Sequence, residues 1–251
     1  TGTAASFQYP MGLAFDASGD LYVADSYNHK IRKITPSGVV SNYAGSGSLG
    51  AVNGAALSAS FYRPMALAFD ASGNLYVADR INALVRKIST SGVVSTLAGS
   101  GISGYADGTG SVAKFGSCNN LVLDDDGNLY VIDQGNNMVR KVSPSGEVST
   151  FAGTLTAGSA NGTGAEVRFN SPFGIARGDD GAIYVIENAA NRVRKMVLLK
   201  AFTIRPELPA GLVFNETDGS ISGTPTAVSP LTTYTITAFN SGGSGRTTLS
   251  F

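Results

Sequence analysis

The sequence has very few of the residues that most catalytic and metal-binding sites need. Its 251 residues include one cysteine, Cys118, and one histidine, His29. A single thiol excludes an internal disulfide and a cysteine-based zinc site, and one imidazole leaves little for histidine-based metal binding. We therefore predict no metal and no cofactor, and we interpret Cys118 as a small core residue.

Charge and long apolar runs are also scarce. Charged residues make up 14% of the chain, and 18 basic side chains balance 18 acidic ones. A formal net charge of zero disfavours a nucleic-acid partner. No apolar run approaches the ~20 residues that a membrane span requires, so no membrane span is expected.

What the sequence does contain is a repeat with a step of 54 residues. The motif Leu-Tyr-Val-Ala-Asp at residues 21–25 recurs, unchanged or with conservative replacements, at 75–79, 129–133 and 183–187. A phenylalanine keeps the same step at Phe7, Phe61, Phe115 and Phe169. Four copies in constant register predict four equivalent structural units.

Each unit reads as four short strands. In the first copy they are predicted at residues 13–16, 21–25, 30–35 and 39–44, and Gly19 and Gly38 lie in the turns. No apolar stripe of helical period is present. Repeated four-stranded meanders of this length predict an all-β fold, a β-propeller of four visible four-stranded blades.

The motifs within the unit resemble the NHL repeat. They are Gly12-Leu13-Ala14-Phe15-Asp16, the following Asp-Ala-Ser-Gly turn, Asn28-His29-Lys30-Ile31 and Arg32-Lys33, and the resemblance covers about residues 7–197. It implies a propeller scaffold and no single activity, because propellers host many functions. Rings of six blades are usual in this family. Four copies are thus compatible with an incomplete ring, a compact four-bladed ring, or a ring that a partner completes.

The two ends of the chain have a different character. Residues 1–7 align with 109–115, so we expect the chain to begin inside a repeat, as a fragment or a trimmed product. Residues 208–212, 219–226 and 234–238 resemble the later part of bacterial immunoglobulin-like repeats. We therefore predict a propeller at 1–200 and a partial immunoglobulin-like β-sandwich at 201–251, which is short of the ~100 residues of a complete sandwich.

A partial sandwich suggests two alternatives for the C-terminal residues. An open strand edge could accept a strand from a neighbouring molecule and build a homo-polymer. Alternatively, residues 202–204 form the fourth strand of the fourth blade, where the repeat register places it.

Acidic and basic residues recur together in every unit. The pairs are Asp25 with Arg32, Asp79 with Arg86, Asp133 with Arg140, and Glu187 with Arg194. We predict structural cross-strand pairs, in which position 25 lies opposite 32 and Val23 lies opposite Ile34. The loop that contains Asp107-Gly108-Thr109-Gly110 lacks the signatures of a phosphate or calcium loop, and we expect it to turn the chain between blades.

The hairpins between the second and third strands differ most among the four copies. Divergent loops on a rigid scaffold are typical of binding sites. The ligand-binding candidates are therefore Tyr27, His29, Arg80 and Asn137. Neutral drift on exposed loops accounts for the same variation.

These observations favour a non-catalytic extracellular or cell-surface protein of bacterial type. Its expected roles are adhesion, binding of a protein or surface glycan, or scaffolding as a self-assembling filament subunit. One alternative is a metal-dependent lyase or lactonase on the propeller axis, although no carboxylate recurs in the middle of the innermost strands. The other is an RNA-binding propeller, which zero net charge disfavours.

Overall fold

The computed structural model describes residues 2–179, 181–197, 202–215, 219–240 and 243–251. The chain divides into two compact units, Thr1–Met196 and Val197–Phe251. Both are built from antiparallel sheets, and the helical segments in the described residues are single turns of three residues. These turns are Gly2–Ala4, Ser26–Asn28, Gly110–Val112, Gln134–Asn136 and Gly164–Glu166.

The first unit contains four meander sheets, one for each sequence repeat. The first blade has β1 (Pro10–Phe15), β2 (Leu21–Asp25), β3 (Lys30–Ile34) and β4 (Val40–Ala44). The second has β5 (Gly54–Ala55), β6 (Pro64–Phe69), β7 (Leu75–Asp79), β8 (Leu84–Ile88) and β9 (Val93–Ala98). The third has β10 (Gly108–Thr109), β11 (Cys118–Leu123), β12 (Leu129–Asp133), β13 (Met138–Val142) and β14 (Glu147–Gly153). The fourth has β15 (Pro172–Arg177), β16 (Ile183–Glu187) and β17 (Arg192–Met196).

The predicted all-β fold of four-stranded meanders is confirmed in the first three blades, two of which carry an additional short strand. The first blade has four strands, whereas the second and third have five and the described part of the fourth has three. The fifth strands, β5 and β10, come from the loops that lead into their blades and pair with the outermost strands β9 and β14. An extended loop segment can satisfy the backbone groups of an open strand edge, which explains the addition.

The turn between the first and second strands shows how the sequence sets these meanders. Gly19 has φ of +83°, a conformation that glycine adopts without steric cost. The Asp16 carboxylate accepts hydrogen bonds from the backbone N–H groups of Ser18 and Asp20, both at 2.9 Å. The carboxylate of Asp16 therefore accepts hydrogen bonds that a backbone carbonyl would otherwise accept, and this stabilises the turn.

The apolar core lies between successive blades. Leu67 of the second blade belongs to a buried cluster with Tyr22, Ala24 and Ile31 of the first blade. Leu121 of the third blade is buried in the same way against the second. Each of these blades is thus held mainly by apolar contact with the blade before it.

The second unit contains two small sheets. Their strands are β18 (Phe202–Arg205), β19 (Leu212–Phe214), β20 (Ile221–Gly223), β21 (Thr233–Asn240) and β22 (Gly243–Ser250). β21 lies between β18 and β22, and β19 pairs with β20. The expectation that residues 202–204 complete the fourth blade was wrong. The eight-residue strand β21 offers β18 a full ladder, in which Thr203 lies opposite Thr237.

Candidate functional site

The hairpins between the second and third strands lie at the same end of the propeller unit as the loops between blades. Asn82 of one hairpin donates from Nδ2 to the carbonyl oxygen of Gly50 at 2.7 Å, and Asn136 makes the same contact with Gly104 at 2.8 Å. We call this the hairpin end. The four ligand-binding candidates all belong to these hairpins.

The repeated acidic and basic residues form ion pairs across each hairpin. Arg86 Nη1 lies 2.9 Å from Asp79 Oδ2, and both side chains are fully buried. The equivalent distances are 3.1 Å for Arg32–Asp25, 3.0 Å for Arg140–Asp133 and 3.6 Å for Arg194–Glu187. In the fourth blade, Glu187 also contacts Arg192 at 3.0 Å.

The predicted register of this hairpin was wrong by two positions. Val23 lies opposite Arg32, and Asp25 lies opposite Lys30, so the ion pair is diagonal. The cause is His29, which adopts left-handed backbone geometry with φ of +57° and ends the short helical turn. The third strand therefore resumes at residue 30, earlier than a loop centred between residues 28 and 29 would allow.

An asparagine completes each buried pair in the first three blades, and sequence reasoning missed it. Asn82 Nδ2 donates to Asp79 Oδ2 at 2.7 Å, and Asn28 and Asn136 make equivalent contacts at 2.9 and 2.7 Å. The backbone N–H of Tyr62 donates to the other Asp79 oxygen at 2.8 Å. Burial raises the pKa of Asp79 to about 6, against the opposite effect of these donors and Arg86. The available signal was the recurrence of this asparagine within hairpins that otherwise vary.

The same arginine also holds the loop that leads into its blade. Arg86 donates to the carbonyl oxygens of Ser60 at 3.0 Å and Val52 at 3.1 Å, and to Asn53 Oδ1 at 2.7 Å. Its guanidinium carbon lies 5.3 Å from the centroid of the Phe61 ring. We call the arginine, its acid and this phenylalanine the arginine clamp. The clamp therefore joins loop, hairpin and blade.

Three of the four ligand-binding candidates connect neighbouring blades. His29 Nδ1 accepts the backbone N–H of Arg63 at 3.2 Å, and Asn137 Oδ1 accepts that of Ser171 at 3.0 Å. Arg80 donates from Nε to Ser117 Oγ at 3.3 Å. His29 and Asn137 occupy equivalent positions in their repeats, so the structure gives the two residues the same inter-blade role.

Tyr27 is the candidate that faces solvent, and it does so in a group. Its ring centroid lies 4.5 Å from that of Tyr9, and the guanidinium carbon of Arg63 lies 4.2 Å from its ring centroid. Tyr9 is 64% exposed and Tyr27 is 37% exposed. We call Tyr9, Tyr27 and Arg63 the aromatic patch. Sequence reasoning missed Tyr9 and Arg63, although this position also varies among the repeats, with Ser117 and Ser171 as the other two.

Backbone strain accompanies the aromatic patch. Tyr9 has φ of +48°, His29 +57° and Arg63 +55°, a region that bulky non-glycine residues seldom adopt. His29 stacks edge-on against Tyr62 with ring centroids 5.5 Å apart. Burial, followed by the nearby Arg63 charge, lowers the pKa of His29. Both effects favour the neutral imidazole, the form whose Nδ1 can accept the hydrogen bond from the backbone N–H of Arg63.

An open cleft of about 740 Å³ lies along the innermost strands of the four blades. Its lining includes Leu67, Leu121 and Ile175, and Arg177 makes a two-pronged ion pair with Asp125 there. Among the residues that the structure describes, no three His, Cys, Asp or Glu side chains are grouped to hold a metal. Cys118 is buried, and burial raises the pKa of its thiol well above the usual range.

Two families match the chain. Residues 7–34 match the family described as NHL repeat, and residues 182–251 match the family described as Putative Ig domain. Residues 7–34 therefore carry an NHL repeat. The match spans β1, β2 and β3 of the first blade, and the 54-residue step carries the same sequence pattern into the other three.

Two curated proteins match about a third of the chain. The chain is 39% identical over 88 residues to Protein SUPPRESSOR OF QUENCHING 1, chloroplastic, of Arabidopsis thaliana, over 35% of this chain and 8% of that protein. It is 40% identical over 85 residues to NHL repeat-containing protein 2 of Gallus gallus, over 32% of this chain and 12% of that protein. The chain therefore spans a small part of the curated relatives that it matches.

Solved structures share the propeller fold. A structural genomics protein of unknown function from Bacteroides thetaiotaomicron is 28% identical, with a TM-score of 0.63 over 74% of this chain and 46% of that one. An auxiliary nutrient binding protein from Bacteroides ovatus is 19% identical, with a TM-score of 0.61 over 76% and 48%. A gluconolactonase from Xanthomonas campestris is 14% identical, with a TM-score of 0.57 over 96% and 76%. The last two likenesses show the fold alone.

Within the described ranges, no helix has the length and hydropathy to cross a membrane.

Proposed function

We propose that the protein is a non-catalytic binding or scaffolding protein of bacterial extracellular or surface type, and that the hairpin end contacts a protein or a surface glycan. The observation that carries the proposal is the aromatic patch, in which Tyr9 and Tyr27 stack at 4.5 Å and Arg63 lies over Tyr27. Exposed, pre-ordered tyrosines give large contact area with little loss of side-chain entropy on binding.

The chemistry of the aromatic patch suits a polar, ring-shaped ligand. Tyrosine faces pack against the C–H groups of a sugar ring, and the phenol and guanidinium groups bind its hydroxyls. The same groups are enriched at protein interaction hot spots.

The second unit supports a scaffolding role. Its strand β22 spans eight residues and, among the residues described, pairs on one side only, with β21. An unpaired edge of this length is a template for strand addition from another chain. We propose more specifically that copies of this chain join through the β22 edge to form a homo-polymer.

Binding to an array of polysaccharide fragments and immobilised surface glycoproteins tests the proposed site. The expected result is binding of at least one probe, weakened about tenfold or more in Tyr27→Ala, which corresponds to ~1.4 kcal/mol. The matched control is Tyr105→Ala, because Tyr105 is also exposed and lies 5.1 Å from an arginine guanidinium, that of Arg140. Equal loss in both variants, or no binding of any probe by the native chain, would contradict the proposal.

A further inference from the structure

The NHL blades pack through two different faces. The leading face of a blade carries the residue equivalent to Leu67 and packs against the blade before it. The trailing face carries the residues equivalent to Ala78 and Val85 and packs against the blade after it, where Leu121 meets them. Each contact between successive blades therefore joins one leading face to one trailing face.

The first blade has an uncovered leading face. Leu13 is 62% exposed, whereas its equivalents Leu67, Leu121 and Ile175 are 6%, 3% and 8% exposed. Phe15, on the same face two residues further along β1, is also exposed. Apolar side chains concentrated at this density on one sheet face mark an interaction surface.

The fourth blade has an uncovered trailing face. Ile186 is 51% exposed and Val193 is 66% exposed. The equivalents of Ile186 in the other blades are fully buried, and so are those of Val193. They are Ala24, Ala78 and Ile132 for the former, and Ile31, Val85 and Val139 for the latter. The side chains are of the same apolar type, so the difference comes from a neighbouring blade, which the described residues do not supply on this face.

We propose that a second copy of this chain covers these faces, with the leading face of its first blade packed on the trailing face of the fourth blade. The occupant follows from the repeat itself. Leu67 packs on Tyr22, Ala24 and Ile31, and the trailing face of the fourth blade presents Tyr184, Ile186 and Val193 at the equivalent positions. Leu13 of a second copy thus meets the kind of surface that already holds Leu67.

This contact is heterologous, because the two faces that meet are different surfaces of the chain. Such a contact leaves one leading and one trailing face free, so it closes into a ring or continues as a filament. The expected assembly is therefore built through blade faces. It is independent of the aromatic patch and of the β22 edge, so failure of either proposal leaves the other intact.

The first test is the molar mass in solution, measured by light scattering and sedimentation over a range of concentrations. The native chain is expected at multiples of 25.7 kDa. Leu13→Asp and Val193→Asp are each expected to weaken association about tenfold or more, since each places a charge in an apolar contact. Ile102→Asp, at an equally exposed position in a loop after β9, is the matched control and is expected to associate normally.

The second test mixes the two variants. Leu13→Asp retains an intact trailing face, and Val193→Asp retains an intact leading face, so an equimolar mixture is expected to form a heterodimer. All three positions are exposed, and an unchanged circular dichroism spectrum checks that the variants fold. A native chain that is monomeric at its highest soluble concentration would overturn the proposal and indicate a blade from another source as the occupant. Association that neither variant weakens would overturn it too.

Discussion

The inner and terminal blades share one sequence pattern and differ in what surrounds it. The second and third blades bury both faces and gain a fifth strand from the loop before them. The first blade exposes Leu13 and Phe15, and the fourth exposes Ile186 and Val193. Because equivalent residues are buried in one place and exposed in another, the repeat specifies the strands, and the neighbouring blade decides the burial.

The arginine clamps show the same contrast. Arg86 and Arg140 are fully buried, whereas the side chains of Arg32 and Arg194 retain partial exposure. Each of the inner arginines holds its acid, a preceding loop and a phenylalanine ring at once. A buried charge of this kind depends on all of its partners, so the inner clamps are expected to be the most sensitive points of the fold.

The largest expected effect is the loss of an inner clamp. Arg86→Met should lower the free energy of unfolding by about 3–5 kcal/mol, because it leaves the Asp79 carboxylate buried without its cation. Arg32→Met should cost about 1–2 kcal/mol, since water reaches this pair more easily. Urea unfolding of both variants, followed by circular dichroism, measures the difference. Equal costs would show that burial by neighbouring blades does not control the strength of the clamp.

The leucines on the leading faces provide a purely apolar version of the comparison. Leu67→Ala should cost about 2–5 kcal/mol, because it opens a cavity in the contact between the first and second blades. Leu13→Ala should stay within about 0.5 kcal/mol when the chain is a monomer. Unfolding at low protein concentration isolates the monomer. A concentration-dependent cost for Leu13→Ala would instead support association through the leading face.

The sequence predicted the repeated strands and the pairing of acid with arginine better than it predicted the strand register. The step of 54 residues identified equivalent positions, so the pairing of Asp79 with Arg86 could be predicted from the sequence alone. The register depended on the left-handed conformation of residue 29, which histidine, alanine and asparagine all adopt at this position in different blades. Histidine and asparagine are enriched in that conformation, but Ala83 adopts it as well, so residue type alone did not fix it. The predicted register was therefore wrong by two positions.

The aromatic patch could be predicted only in part, for a related reason. Tyr27 stood out because its hairpin varies among the repeats. Tyr9 and Arg63 belong to equivalent positions at the start of the first strand in two different blades, and both lie against Tyr27 because the strands of successive blades run side by side. Variation among the repeats can indicate surface residues within one repeat. Residues from two repeats that form one patch can be identified only when the packing of the two blades is known.

A smaller effect is expected for His29, whose titration should couple to stability. Its pKa is lowered in the folded chain below the ordinary value of 6.5. The folded state then binds this proton less readily than the unfolded state, so the contribution is complete above pH 6.5 and is lost as the pH falls through the lowered value. His29→Asn should remove this part of the pH dependence and keep the inter-blade hydrogen bond, as Asn137 does.

The NMR titration of the histidine ring gives a direct reading, because His29 is the sole histidine of the chain. A midpoint at or above 6.5 would contradict the neutral acceptor role. His29→Ala is the matched variant, since Ala83 occupies the equivalent position in the second blade and has the same backbone conformation. It should lose the acceptor as well as the titration, and should therefore be less stable than His29→Asn at pH 7.

The smallest effect is expected at Asp107, where the loop before the third blade meets its arginine clamp. Asp107 Oδ1 lies 2.5 Å from Arg140 Nη2, and the equivalent residues Asn53 and Asn161 place an amide oxygen at 2.7 and 2.6 Å from their own arginines. An amide oxygen therefore replaces the carboxylate without loss of geometry, and Asp107 is half exposed. Asp107→Asn should change the free energy of unfolding by less than about 0.5 kcal/mol, and adding calcium should stabilise neither form. Stabilisation of the native chain by calcium that Asp107→Asn abolishes would show that this loop binds a cation and that the third blade differs from the second and fourth in more than its burial.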